Sequence, residues 1–87
     1  MSTPRIVELG GKKFEIVLGT EIHGICPRPG ETPAIVIVDS LHTRMGLDTL
    51  IHECLHAQNP ARSESWIRER AKELTAVLWR LGFRRSG

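Results

Sequence analysis

His52 and His56 stand four residues apart, with Glu53 directly after the first, in the mostly apolar run Thr49-Leu50-Ile51-His52-Glu53-Cys54-Leu55-His56-Ala57. On an α-helix, residues at i and i+4 lie one above the other on a single face. Two imidazoles so placed can share a tetrahedral metal ion, with Zn–N bonds of about 2.0–2.1 Å. A glutamate at the next position swings to the side of that face, where it can take a proton from a water on the ion. The H-E-x-x-H spacing therefore points to metal-assisted hydrolysis, with Glu53 as general base. The competing explanation is a pair of hydrogen-bonded core histidines with a glutamate paired to surface charge. The metal is favoured because an apolar helix has little other use for two imidazoles and a carboxylate.

Catalytic zinc usually takes three protein ligands and keeps one position open. Downstream, Glu64, Glu69 and Glu73 are available on a second helical stretch. At about 3.6 residues per turn, Glu64 continues the apolar stripe through Ile67 and Ala71, Glu69 points nearly the opposite way, and Glu73 is intermediate. Glu64 is thus the preferred third ligand. It also suits the first turn of a helix for its charge alone, and that explanation stays open. Asp48, one turn before His52, is either an acceptor for an imidazole N–H or an exposed residue near the helix start. Cys54 falls on the side of its helix away from the histidines. Neither Cys26 nor Cys54 has C-x-x-C spacing, so Cys26 is a weak ligand candidate, and two cysteines without an export signal fit a reduced state. The cytoplasm is accordingly the expected location.

These residues need elements to position them. Ile6–Leu9 and Lys13–Leu18 are β-prone runs around Gly10-Gly11 and read as a hairpin, with Phe14, Ile16 and Leu18 on its buried face. Residues 19–33 hold three glycines and three prolines and read as an irregular connection that contains His23. Ala34–Asp39 is a β-branched run, apolar on both faces, expected inside the sheet or covered by helices. The motif helix is expected from Thr43, its N-cap, to Gln58, with Pro60 as stop. Its apolar sector is Leu47, Leu50, Ile51, Cys54, Leu55 and Ala57. Ser63 caps a second helix from Glu64 to about Leu81, closed by Gly82. Ile67, Ala71, Leu74, Leu78 and Leu81 form its expected buried stripe, widened by Trp66, Val77 and Trp79.

With 87 residues, 40% hydrophobic and 25% charged, the chain suits one small folded α+β domain. The expected architecture is a hairpin and a further strand, an approximately three-stranded sheet, packed on two C-terminal helices. A net charge of +2 gives no case for nucleic acid, and Arg84-Arg85 reads as a solvated end. No stretch approaches the roughly 20 apolar residues of a membrane span.

The segment Asp48–Ala57, with Glu64–Ala71 and Leu78–Phe83, resembles the zincin metallopeptidases. It is most similar to short phage-like and bacterial proteins related to the ImmA/IrrE and SprT groups. The resemblance covers about half the chain. It implies strands ahead of the motif helix, a glutamate ligand from a second helix, bound Zn²⁺, and a peptide or protein substrate. The chain departs from larger zincins in having no tyrosine to donate to an oxyanion, no Met-turn and no extended histidine motif. His23, His42 and Arg44 each read first as ordinary surface residues, with standing in for that donor as the alternative. A zinc-binding regulatory or interaction module with little turnover is the alternative to a peptidase. A metal-free domain is the third reading.

Overall fold

A computed structural model describes residues 5–19 and 32–85. The elements run β1 (Ile6–Leu9), β2 (Lys12–Leu18), β3 (Ala34–Ile37), α1 (Arg44–Gln58) and α2 (Glu64–Arg80). The class is α+β, as expected: a three-stranded mixed sheet and two C-terminal helices. His23 and Cys26 lie outside the described residues.

The hairpin forms where Gly-Gly interrupts the two β-prone runs. Gly10 and Gly11 both take positive φ, 59° and 81°, and Leu9 pairs with Lys12 across a two-residue turn. Positive φ at both central positions gives the turn a twist that matches right-twisted strands. β3 then adds to β2 in parallel, with Ile16 opposite Ile35 and Leu18 opposite Ile37. Alternation places these four side chains on one face. Leu18, Ile35 and Ile37 form the core there, and Phe14, Leu41, Leu50 and Ala57 pack on it from around the sheet and from α1.

Three expectations about the strands need correction. Among the described residues β3 ends at Ile37 rather than Asp39 and lies at the sheet edge, with β2 central. Its second face is not covered by helices: Val36 is 42% and Val38 70% exposed. A run apolar on both faces does not distinguish an interior strand from an edge strand whose outer residues are valine. Conversely Val17, expected on the open face of β2, is buried.

Both helix starts are capped as their sequences require. Thr43 Oγ1 accepts the Gly46 N–H at 3.0 Å, and Ser63 Oγ accepts the Trp66 N–H at 3.2 Å. Gly46 is buried where α1 packs on the chain leaving β3; a Cβ there would fall onto the Ser40 carbonyl. α2 closes with Gly82 at φ 86°. The Gly82 N–H reaches Trp79 O at 3.0 Å and the Phe83 N–H reaches Leu78 O at 2.9 Å, satisfying two carbonyls of the last turn.

α1 packs mainly on α2, with β3 and β1 on its other side. The inner face of α2 is narrower than its apolar stripe. Ile67, Ala71 and Thr75 are buried, whereas Leu74, Val77 and Leu81 are 47%, 56% and 68% exposed. Among the described residues α2 has one helix to lie against, and the small Ala71 and Thr75 side chains make the close line of contact. The C-terminal end also differs from a simple solvated tail. Arg84 stacks on Trp79 at 3.8 Å from the ring centroid, and His42 Nδ1–H donates to the Arg85 carbonyl at 2.7 Å.

Candidate metal centre

One helical turn of α1 brings the two histidines together. Their rings meet edge to face, with centroids 4.8 Å apart and planes at 61°. His52 Nε2 and His56 Nε2 approach to 3.1 Å. The short connection after Asn59 folds α2 back, so that Glu64, its first residue, faces both rings. Glu64 Oε1 lies 2.8 Å from His52 Nε2 and Glu64 Oε2 lies 2.7 Å from His56 Nε2. The three ligand atoms available from His52, His56 and Glu64 all fall within 4.8 Å of one another.

The donor set suits a small divalent cation. Bonds of about 2.0–2.1 Å at tetrahedral angles place neighbouring ligand atoms about 3.3 Å apart. The observed separations of 2.7–3.1 Å are slightly tighter. A modest opening of three half-buried or exposed side chains accommodates an ion. Without one, each ring can donate an N–H to its own Glu64 oxygen, the competing metal-free arrangement.

Glu53 is half-buried and lines a cleft of about 260 Å³ with Asp48, Thr49 and His52. The general-base candidate and one ligand candidate therefore share an opening. One lining residue of that cleft is tied to the chain two residues past β3, because Thr49 Oγ1 donates to Asp39 Oδ2 at 2.8 Å. Cys54 lies elsewhere, against an apolar cavity with Leu50, Ile16 and Leu18. Burial and the neighbouring Glu53 charge push its thiol pKa up.

Asp48 has a different partner from the imidazole proposed for it. Its Oδ1 accepts from Thr75 Oγ1 at 3.4 Å, linking α1 to the buried face of α2. Glu69 and Glu73 are engaged by Arg70 at 3.6 and 2.7 Å, and neither belongs to the cluster. Arg44 precedes His52 by eight residues, about 12 Å along the helix, and His42 is occupied at the far end with Arg85. Neither stands beside the histidines.

One neighbour was not singled out from the sequence. Arg68 Nη2 lies 3.9 Å from Glu64 Oε1. The i, i+4 spacing of Glu64 and Arg68 is the signal that could have found it. Around Glu64, partial desolvation pulls the carboxyl pKa upward. The His52 and His56 imidazoles, a hydrogen bond from His56 and the Arg68 charge outweigh it, so the net shift is below the ordinary value.

No family model, curated protein or solved structure matches the chain.

Proposed function

We propose that the protein is a small zinc-dependent peptidase, with His52, His56 and Glu64 as ligands and Glu53 as general base. The convergence of two ring nitrogens and one carboxylate, contributed by two helices, carries this reading. Zinc in such a site lowers the pKa of a bound water and polarises a peptide carbonyl. Glu53 takes the water proton and returns it to the leaving amine. The cleft beside Glu53 gives an extended chain a way in. The edge of β3 can hold that chain by backbone pairing, and the Asp39–Thr49 bond ties the segment just after this strand to the cleft. A cytoplasmic setting belongs to the same reading. Among the described residues no helix is long and apolar enough to cross a membrane.

A zinc-binding regulatory or interaction module is the second reading. The openness of the cluster favours it: the Glu64 side chain is 52% exposed, and a solvated site gives weaker electrostatic catalysis. Elemental analysis and a cleavage assay on mixed peptides, with and without chelator, separate the readings. The peptidase predicts about one zinc per chain and cleavage that chelator abolishes. Zinc without cleavage selects the module, and no zinc removes both. Within the peptidase, Glu53→Gln retains zinc and lowers turnover at least about 100-fold, the scale of a lost general base. Parent-like turnover in that variant takes Glu53 out of the mechanism.

A further inference from the structure

We infer that Arg68 supplies the cation that holds the anionic oxygen developing on the substrate carbonyl beside His52, His56 and Glu64. This assignment rests on the peptidase reading. Attack by water forms a C–O bond and moves the carbonyl π electrons onto oxygen. Collapse of that oxyanion breaks the C–N bond, and the proton held by Glu53 leaves with the amine. The oxygen needs a donor while it is charged. The sequence contains no tyrosine, and Arg44 lies about 12 Å back along α1.

Arg68 sits one turn beyond Glu64 on the same side of α2. Its Nη2 is 3.9 Å from Glu64 Oε1, the oxygen that also faces His52. That distance is too long for a hydrogen bond, so the contact leaves the guanidinium donors uncommitted. The side chain is 69% exposed and free to turn toward a substrate in the open site. Arg80 closes α2 about 24 Å beyond Glu64, and the nearer arginines are engaged elsewhere. Arg70 is bonded to Glu73 and Arg62 lies 4.9 Å over Trp66, while Arg84, past the helix, covers Trp79. A guanidinium keeps its charge at any working pH and presents several N–H groups in a planar fork suited to anionic oxygens. An exposed ion pair with Glu64 at 3.9 Å would by itself add little stability.

The test compares zinc-loaded parent, Arg68→Ala and Arg68→Lys. Zinc affinity is measured by chelator competition, binding of a phosphonate dipeptide by calorimetry, and kcat and KM on a cleaved peptide. The phosphonate mimics the tetrahedral anion. Arg68→Ala is expected to leave zinc affinity within about threefold, while phosphonate affinity and kcat fall about 10- to 100-fold, below the loss seen for a fully buried oxyanion donor. Arg68→Lys should recover part of both. Unchanged phosphonate binding in Arg68→Ala overturns the assignment. So does a fall in zinc affinity matching the fall in phosphonate affinity, which would make Arg68 a support for Glu64 alone. A parent protein that neither cleaves peptides nor binds the phosphonate removes the peptidase reading, and Arg68's role goes with it. A fully active parent with an unaltered Arg68→Ala variant removes Arg68's role alone.

Discussion

Glu64 faces two ring nitrogens and a guanidinium at once, and its carboxyl pKa is held below the ordinary value against partial desolvation. A carboxyl with a lowered folded-state pKa adds stability above its unfolded value and loses it as pH falls through the folded one. Glu64 therefore remains charged in mild acid and available to a cation. As a charged ligand it should matter more than an outer-shell partner, whose loss costs about 10- to 100-fold in metal affinity. Glu64→Gln is expected to weaken zinc binding about 100-fold or more by chelator competition, and Glu69→Gln to leave it unchanged. Equal effects from the two would remove Glu64 from the donor set. Cys54 makes an opposite electrostatic case on the same helix. Burial and Glu53 raise its thiol pKa, so its stability contribution is present below the unfolded pKa and is lost as pH rises through the folded one. Its thiolate fraction near pH 8 is correspondingly reduced. Alkylation at pH 8 should run more slowly in the folded protein than after urea unfolding. Comparable rates in the two states would contradict a shielded thiol.

The elements show why some of this architecture was legible in the sequence and some was not. Local chemistry sets the hairpin, both helix starts and the close of α2. Gly10-Gly11, Thr43, Ser63 and Gly82 each act through backbone groups a few residues away. The His52–His56 pair was also legible, since helical spacing puts i and i+4 on one face; Glu64 was preferred for its place on the α2 stripe, and its meeting with the rings depends on how α2 folds back. Strand order and coverage were less so: β3 is edged, not enclosed, and α2 leaves Leu74 and Leu81 exposed. Those facts depend on what packs alongside, which periodicity does not encode. Asp48 illustrates the same limit, because its Thr75 partner comes from another helix. Ser63 offers a test at this scale, as its cap precedes Glu64 directly. Ser63→Ala should cost about 1 kcal/mol, lowering the melting temperature by about 4–8 °C in a domain of this size. It should also weaken zinc binding, because fraying at the start of α2 releases Glu64. A lower melting temperature with unchanged zinc affinity would show that Glu64 is held independently of the cap.

For the molecule as a whole, the ion and the fold are expected to be thermodynamically linked. The core of this 87-residue chain centres on Leu18, Ile35 and Ile37, with Ile67 and Ala71 between the helices. Domains this small have little stability to spare. An ion that grips α1 through two imidazoles and α2 through Glu64 binds the folded arrangement and not the open chain. Stabilisation then follows the ratio of free metal to dissociation constant, about 4 kcal/mol at a thousandfold excess. At about 4–8 °C per kcal/mol, that amounts to a rise of at least about 15 °C. Zinc would bind both rings in their neutral form, so protons compete with it and its affinity should fall as the pH is lowered. The low-lying Glu64 carboxyl does not drive this loss. Melting curves with zinc and with chelator, taken at pH 7.5 and pH 5, should differ widely at the first pH and converge at the second. His52→Ala and His56→Ala should abolish the difference at pH 7.5. A parent whose melting temperature ignores both zinc and chelator at pH 7.5 would leave the two helices joined by Ile67, Ala71 and the Asp48–Thr75 bond, with His52, His56 and Glu64 reduced to a hydrogen-bonded cluster.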